Sequence, residues 1–513
     1  MQIQNVTITH RKDNRLLLDH FTLSIQRGDT FAVIGEEGNG KSTLLQCLYD
    51  PKRIASYAEV SGHIDRQGQW IGYLPQEMPA ANLAQTVYEY CCTHPAFWEQ
   101  SPKELSQLAR PMELPSDFFY QDTPLRALSG GERIKLQLAC LQMSRPDILL
   151  LDEPSNDLDL STLRWLETFL LNFSGGILFI SHDETLLSHT ANGIIHLEQL
   201  RHKRMPRATV QRCGYDAYLA ARETTMAHQA QLAKNERNAY AKQMQKLQQI
   251  QQKVTHQQNT ISRQEPYLAA RLKKKAGTVK TQRQRIERQA AAFTAFPESE
   301  DAILLTFRHP ISLPPTKTIL RYDQPLLQVG EKTLATHLHL EIRGAQKVGL
   351  IGKNGIGKST LLAEIAQQLR LRTDIRVFYL PQQYEALLSL QQTPIDFLRQ
   401  NGDKAEETQI RTYLGSLKFT ADEMTHAIEQ LSGGQKAKLC FLKAVLHPYD
   451  VLLLDEPTRN FSPLSRPVLT KLLRQFPGAI LTVSHDRTFL LGVCDICYQL
   501  QPDGLRLYPM EQL

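Results

Sequence analysis

Two stretches decide the fold: GEEGNGKST at residues 35–43 and GKNGIGKST at residues 352–360. Both match G-x-x-x-x-G-K-[ST], in which the glycines let backbone N–H groups converge on nucleotide phosphates at the start of a helix. Each stretch follows an apolar segment typical of a strand and precedes one typical of a helix. The same motif in the same context twice predicts two nucleotide-binding domains in one chain. We call the two stretches the first and second phosphate loops.

Four further motifs recur in the same order behind each phosphate loop. They are YLPQ (73–76 and 379–382), LSGG (128–131 and 431–434), LLLDEP (149–154 and 452–457) and SHD (181–183 and 484–486). Runs rich in Val, Ile and Leu alternate with helical segments, which predicts a buried parallel sheet in each copy. The polar stretch between YLPQ and LSGG predicts a helical subdomain. In the first copy the longer interval before YLPQ predicts a surface hairpin at about residues 56–69.

The residue types of these motifs predict a Mg²⁺-dependent site of nucleotide hydrolysis in each copy. The predicted nucleotide-binding residues of the loops are Gly35, Glu36, Glu37, Gly38, Asn39, Gly40, Lys41, Ser42 and Thr43, and Gly352, Lys353, Asn354, Gly355, Ile356, Gly357, Lys358, Ser359 and Thr360. The predicted Mg²⁺ ligands are Ser42, Ser359, Asp152, Asp455, Gln76 and Gln382. A glutamate next to the metal can polarise the attacking water, with help from a histidine and a glutamine. The predicted catalytic residues are therefore Glu153, Glu456, His182, His485, Gln76 and Gln382.

These motifs resemble those of the ATP-binding cassette (ABC) superfamily, and LSGG separates that superfamily from other phosphate-loop ATPases. The resemblance covers both copies and implies ATP as the nucleotide and Mg²⁺ as its metal. It also implies that the two cassettes pair head to tail, so that each ATP lies between one phosphate loop and the LSGG signature of the other copy. The signature residues assigned to ATP in this way are Ser129, Gly130, Gly131, Ser432, Gly433 and Gly434.

Two departures from the family pattern predict that the two sites differ. The loop after LLLDEP normally carries an aspartate across the interface between cassettes; the first copy has Asp159 there, and the second has Ser462 followed by Pro463. Neither copy has a clear aromatic residue for stacking adenine. His10 is the one candidate, in the first copy.

A basic segment lies between the copies. Residues 222–288 hold 15 Lys and Arg against 4 Asp and Glu, a local net charge of +11, whereas the whole chain carries +6. Apolar residues recur every seven positions, at Ala233, Tyr240, Leu247, Val254 and Ile261 and again at Leu272, Val279, Ile286 and Phe293. This spacing predicts two helices with a break at about residues 258–266, that is, an antiparallel hairpin with a weak seam. The predicted class is α/β: two ABC-type nucleotide-binding domains (1–215 and 296–513) joined by an α-helical hairpin (216–295).

Basic side chains on all sides of a helix suit the phosphate backbone of structured RNA, although a solvated spacer is the alternative. Tandem cassettes without a membrane domain, joined by such a hairpin, resemble the ABC-F family of translation factors. That resemblance implies a monomer that binds the ribosomal E site, with the hairpin contacting rRNA and the P-site tRNA. The hairpin tip, at about residues 258–267 with Arg263, would lie nearest the tRNA. Whether the role includes protection of the ribosome from antibiotics stays open.

Two other functions compete with this one. A cytoplasmic ATPase subunit that energises a separate membrane transporter would use both cassettes but not the hairpin. A coiled-coil ATPase of DNA repair would split one cassette around a much longer coil. No apolar run approaches the ~20 residues that span a bilayer, and we expect no secretory signal, so the predicted location is cytoplasmic with no membrane partner. Cys494 and Cys497 form a C-x-x-C that we assign to core packing.

Overall fold

A computed structural model describes residues 1–156, 158–200, 205–260, 266–290, 307, 313–330, 332–400, 402–417, 419–459 and 461–513. The chain divides into two compact units: Met1–Tyr215 together with Glu300–Leu513, and Asp216–Ser299. The first unit holds both copies of the repeat and the second holds the basic segment. The exact domain boundaries given above stay a prediction, and the boundary at residues 295/296 lies outside the described residues.

The first copy contains a six-stranded sheet beside a three-stranded one. Its strands are β1 (Gln2–His10), β2 (Leu16–Ser24), β3 (Thr30–Ile34), β4 (Ala58–Asp65), β5 (Ile71–Leu74), β6 (Ile148–Asp152), β7 (Gly176–Ile180), β8 (Gly193–Gln199) and β9 (Met205–Gln211). The large sheet has the order β5-β6-β7-β3-β8-β9, parallel except for β9. Strands β6, β7 and β8 are buried along their whole length, as the continuous apolar sequences of β6 and β7 predict.

The predicted surface hairpin at residues 56–69 is wrong. That segment supplies a single strand, β4, which pairs with β1 in an antiparallel sheet of order β2-β1-β4. The partner of β4 is therefore a strand near the start of the chain and not an adjacent one.

The second copy repeats the topology of the large sheet. Its strands are β10 (Thr318–Val329), β11 (Lys332–Arg343), β12 (Lys347–Ile351), β13 (Val377–Leu380), β14 (Val451–Asp455), β15 (Ala479–Val483), β16 (Ile496–Gln501) and β17 (Gly504–Tyr508). The order β13-β14-β15-β12-β16-β17 places each strand where its counterpart lies in the first copy. Strands β10 and β11 form a separate antiparallel pair.

Helices connect and cover these sheets. In the first copy they are α1 (Lys41–Tyr49), α2 (Val87–Cys92), α3 (Pro95–Trp98), α4 (Pro102–Ala109), α5 (Gly130–Met143), α6 (Leu160–Asn172) and α7 (Glu184–Thr190). Helices α2 to α4 occupy the stretch between YLPQ and LSGG, which confirms the predicted helical subdomain. Cys494 and Cys497 are buried in the core of the second copy, as predicted.

The basic segment consists of two long helices, α8 (Tyr215–Thr260) and α9 (Pro266–Ala290). Ala233, Leu247, Val254 and Val279 are buried at the predicted spacing of seven residues. The predicted turn with Arg263 falls on residues 261–265, outside the described residues, as do Ile261 and Phe293. The helices of the second copy then follow: α10 (Lys358–Arg370), α11 (Pro394–Leu398), α12 (Lys404–Ser416), α13 (Ala421–Thr425), α14 (Gly433–Leu446), α15 (Arg466–Arg474) and α16 (Arg487–Val493).

Candidate functional site

The recurring motifs meet at one edge of each large sheet. The first phosphate loop joins β3 to α1, Asp152 is the last residue of β6, and His182 lies two residues beyond β7. Since these strands are parallel, their carboxyl ends share an edge, the usual position of ligands in open α/β sheets. The second phosphate loop, Asp455 and His485 occupy the same places around β12, β14 and β15.

The lysine of each phosphate loop is buried and folds over the loop itself. Nζ of Lys41 donates hydrogen bonds to the carbonyl oxygens of Gly35 at 2.8 Å and Glu36 at 3.1 Å. Nζ of Lys358 makes the corresponding bonds at 2.8 and 3.0 Å. Gly40 precedes α1 with φ of 89°, a left-handed conformation that favours glycine. The loop backbone is thus held in the tight curve that a phosphate requires.

In the first site the acidic residues at the end of β6 have several partners. The Ser42 hydroxyl donates to Asp152 Oδ1 at 3.0 Å, and Glu153 Oε1 lies 3.2 Å from His182 Nε2. The Asn156 amide also donates to Glu153. Burial alone would raise the pKa of Glu153, but His182, Lys41 and Asn156 together outweigh it and lower that pKa to about 2. Burial raises the pKa of Asp152 to about 6.

In the second site the corresponding contacts are longer. Glu456 Oε2 accepts from the Ser484 hydroxyl and the His485 N–H, both at 3.4 Å, and its Oε1 lies 3.7 Å from His485 Nε2. Burial, followed by the charge of Asp455, raises the pKa of Glu456. Burial, with the charge of Lys358, lowers the pKa of His485 to about 3. The same residue types therefore lie in different electrostatic surroundings in the two sites.

Glu153 and Glu456 share one unusual feature. Each has a positive φ, 49° and 48°, in the left-handed region that non-glycine residues rarely adopt. Strained backbone of this kind concentrates at functional positions, where the surrounding structure holds it in place.

Mg²⁺ fits the acidic end of this sheet edge. Oδ1 of Asp455 and Oε1 of Glu456 are buried without a hydrogen-bond partner within the described part of the chain. Carboxylate and hydroxyl oxygens are ligands that Mg²⁺ prefers, and the ion usually keeps waters and substrate phosphates as further ligands. Two protein oxygens, with phosphate and water, would therefore suffice. The described residues contain no group of three or more His, Cys, Asp or Glu that could hold a metal ion.

Each phosphate loop faces the signature of the other copy across a cavity. The first cavity, of about 740 Å³, is lined by Lys41 and Gly433; the second, of about 860 Å³, is lined by Lys358, Ser129 and Gly130. Volumes of this size are typical of small-molecule sites. Gln76 lines the first cavity, and Gln382 lines both.

Both signatures begin a helix, α5 or α14. Ser129 and Ser432 cap these helices, each accepting a hydrogen bond from the N–H three residues further on. The N-termini of α5 and α14 therefore lie at the cavities, where the helix dipole favours an anion.

His10 lies at the edge of the first cavity, together with Tyr57, which the sequence analysis missed. The two rings are 6.4 Å apart. Tyr57 precedes β4, so no local pattern connects it with His10. The second cavity instead has the aliphatic side chains of Val329 and Leu334 among its lining residues.

The side chains of Glu36 and Glu37 leave the first phosphate loop for the second copy. Glu36 forms an ion pair with Lys438 at 3.0 Å and accepts hydrogen bonds from Ser462 and Ser465. Glu37 accepts a hydrogen bond from the N–H of Gly434. The motif predicts that both residues bind the nucleotide, and it does not predict these contacts with the second copy, although two acids in a phosphate-binding loop were a signal.

A comparison with protein families identifies the cassettes. The sequence model of the family described as ABC transporter matches residues 18–156 and 335–459. The chain belongs to the ABC family. ABC proteins of this kind bind nucleotide and hydrolyse ATP, so the predicted ATPase activity and fold class are confirmed.

Related proteins refine the assignment. The probable ATP-binding protein YheS of Escherichia coli (strain K12) is 29% identical over 527 residues, covering 95% of this chain and 77% of YheS. The ribosome protection protein VmlR of Bacillus subtilis (strain 168) is 29% identical over 500 residues, covering 94% of this chain and 84% of VmlR. Both alignments run over nearly the whole of this chain, so the likeness to these relatives covers both cassettes.

The fold has solved counterparts. The archaeal ribosome recycling factor aABCE1, crystallised with the stalk protein aP1, superposes with a TM-score of 0.60 at 17% identity, over 98% of this chain and 89% of aABCE1. This likeness shows the tandem-cassette fold alone. Among the described helices of the ABC protein, none combines the length and the apolar character needed to cross a membrane.

Proposed function

We propose that this ABC protein is a member of the ABC-F family, which binds the E site of the ribosome and modulates translation through its basic hairpin. In this proposal α8 and α9 contact rRNA and the P-site tRNA, while the two cassettes bind ATP and Mg²⁺ at the predicted residues. Cassettes closed on ATP hold the protein on the ribosome, and hydrolysis releases it. The chain acts as a monomer, because its own two cassettes pair with each other.

The charge of the hairpin carries this proposal. Each Lys and Arg that the structure describes between residues 234 and 288 has an exposed side chain. The 4 Asp and Glu of residues 222–288 cannot balance the 15 Lys and Arg there, so the segment keeps a net charge of +11. Such a surface binds a phosphate backbone by releasing counterions, and the shape of folded RNA selects it over other polyanions. The ribosome-protecting relative VmlR supports the ribosome as the source of that RNA.

The catalytic residues act in the same cycle. In this cycle Glu153 and Glu456 polarise the attacking water, and Asp152 and Asp455 would hold Mg²⁺ together with Ser42 and Ser359. Mg²⁺, when bound, neutralises charge on the transferred phosphoryl group. Removing the glutamate carboxylates should leave ATP bound but unhydrolysed, with the cassettes closed.

Sedimentation tests the proposal. A Glu153→Gln/Glu456→Gln variant should migrate with ribosomes in a gradient when ATP is present, and stay at the top without it. A trapped variant that remains at the top with ATP bound would exclude ribosome binding. Co-purification of the trapped variant with a membrane permease would instead favour the transporter subunit.

A charge variant separates the hairpin from the cassettes. Lys273→Gln, Lys274→Gln and Lys275→Gln remove three exposed charges of α9 and should weaken ribosome association about tenfold or more at physiological salt, with ATP hydrolysis retained. The matched control removes three exposed cassette lysines, Lys12, Lys103 and Lys404. Equal losses in both triple variants would show that only overall charge matters and would contradict the role of the hairpin.

A further inference from the structure

The two ATP sites differ in where they carry an acidic residue: in the phosphate loop at the first site, and in the loop after LLLDEP of the other copy at the second. We call residues 158–162 and 461–465, which follow LLLDEP, the first and second crossing loops. The second site has neutral or basic residues in its phosphate loop, Lys353 and Asn354, and an acid, Asp159, in the crossing loop of the other copy. The first site has Glu36 and Glu37 in its phosphate loop and Ser462 in the crossing loop.

An acidic side chain in a phosphate loop repels the nucleotide, unless another group of the protein compensates its negative charge. Glu36 meets this condition. One carboxylate oxygen lies 3.0 Å from Lys438 Nζ, and the other accepts from the hydroxyls of Ser462 at 3.0 Å and Ser465 at 2.6 Å. The Glu36 side chain is only 17% exposed and that of Lys438 only 10%. A pair so buried and so fully hydrogen-bonded fixes the first phosphate loop to the second copy.

At the second site the acid is Asp159, which occupies the crossing-loop position that Ser462 occupies at the first site. It caps α6 by accepting from the N–H of Thr162 at 2.9 Å, and its charge reaches Lys358 and His485 of the other copy, raising the pKa of each against burial. Four acids raise the pKa of Lys41 against burial: Asp152 and Glu153 after β6, and Glu36 and Glu37 of its own phosphate loop. Each phosphate-loop lysine therefore has an additional acid, but only at the second site does that acid come from the crossing loop.

We propose that Glu36 is a positioning residue of the first ATP site and replaces the crossing-loop aspartate that the second copy lacks. The carboxylate that joins the two copies at this site has moved from the crossing loop to the phosphate loop. Through Lys438, near the start of α14, it sets the second signature opposite Lys41. Glu37, bonded to the N–H of Gly434, lies on the same side of the cavity.

Moving the carboxylate back tests the proposal. Glu36→Gln removes the acid, and Ser462→Asp places a second acid beside Glu36, so each single variant should disturb the first site. The double variant Glu36→Gln/Ser462→Asp keeps the net charge and offers Lys438 a carboxylate from the crossing loop. It should restore the first site, whereas a general folding defect would make the two losses add.

The measurement counts trapped ATP. In the Glu153→Gln/Glu456→Gln background the parent should retain two ATP per chain after gel filtration with Mg²⁺. Each single variant should retain one, with the affinity of the first site lowered about tenfold or more, and the double variant should return to two. In the background with active glutamates, the single variants should raise KM more than they lower kcat.

Glu364→Gln is the matched control. Glu364 accepts a hydrogen bond from Tyr322 inside the second copy, at 2.6 Å. Glu364→Gln therefore shows what the loss of a partly buried glutamate charge does when that charge lies away from the contact between the copies. This variant should still trap two ATP. An equal loss there, or a double variant that traps no more ATP than the worse single variant, would overturn the proposal.

Discussion

At the residue scale, the two cavities offer a nucleotide base different side chains. His10 and Tyr57 present rings at the first cavity, whereas Val329 and Leu334 line the second. A ring pair favours stacking of a flat base by up to about 1.5 kcal/mol beyond the area that it buries. The two sites should therefore bind adenine through different contacts.

We predict that His10→Ala weakens ATP binding at the first site about three- to tenfold, and that His10→Tyr retains it. Calorimetry in the Glu153→Gln/Glu456→Gln background would resolve the two sites. The exposed His63 of β4 provides the control substitution. Unchanged affinity in His10→Ala would remove His10 from the base-binding surface.

The Glu36 carboxylate also predicts a dependence of stability on pH. Burial would raise its pKa, but Lys438, Ser465 and Ser462 outweigh burial and hold it below its ordinary value. A carboxyl group with a lowered pKa in the folded state stabilises that state above its unfolded pKa of about 4.3. This contribution is lost as the pH falls through the folded pKa.

Glu36→Gln should therefore lower Tm at pH 7, and the gap to the parent protein should shrink as the pH falls below about 4.3. Thermal unfolding followed by circular dichroism at several pH values measures the gap. A gap of constant size would mean that the amide disturbs packing and that the charge of Glu36 contributes nothing.

The contrast between Lys41 and Glu36 shows how far single residues can be predicted. Lys41 belongs to a motif with one chemical use, so the sequence alone places it beside the phosphates. Glu36 occupies a variable position of the same motif, and its partner Lys438 lies about 400 residues away in the sequence. Only the pairing of the copies brings these two charges together.

At the scale of secondary structure, α9 contains one weak position. Gly277 lies inside this helix, and a Cβ atom added there would have no heavy atom within 4 Å. Glycine costs about 1 kcal/mol relative to alanine in a helix interior. Gly277→Ala should therefore stabilise α9 by up to about that amount.

Hydrogen exchange of the amides in α9 tests this prediction, since protection should increase there and not in α1. Gly357→Ala should instead destabilise the protein, because that glycine has φ of 106° and an added Cβ would lie 2.8 Å from Leu334. If exchange in α9 is no slower in Gly277→Ala than in the parent protein, the helix does not gain stability from the added methyl group.

The elements that were predicted correctly have a local signal. Strands β6 and β14 are uninterrupted apolar runs, and α8 shows a seven-residue spacing in its own sequence. The segment at residues 56–69 has no such signal. Its strand β4 is specified by pairing with β1, a long-range contact that local periodicity does not encode.

At the scale of the whole molecule, the two copies meet in a network of charges that is not symmetrical. Asp183 and Asp486, which end the two SHD motifs, are near enough for Asp486 to add to burial in raising the pKa of Asp183. Both arginines that offset this repulsion, Arg466 and Arg487, come from the second copy. Arg487 also pairs with Glu167 of α6, so this network joins the two copies. His182, next to Asp183, lines both cavities, and we therefore expect the network to couple the two sites.

We predict that Arg487→Gln weakens ATP binding at both sites, about tenfold or more, because it removes the buried arginine of this ion pair and leaves Glu167 with the exposed His189 alone. Glu167→Gln should have a similar effect, and the double variant should be little worse than either single variant. Equilibrium binding of ATP in the Glu153→Gln/Glu456→Gln background measures both sites at once. Arg474→Gln is the control, since Arg474 pairs with Asp495 within the second copy. Loss at one site alone, the pattern expected of Glu36→Gln, would show that this ion pair belongs to a single site and does not join the two halves.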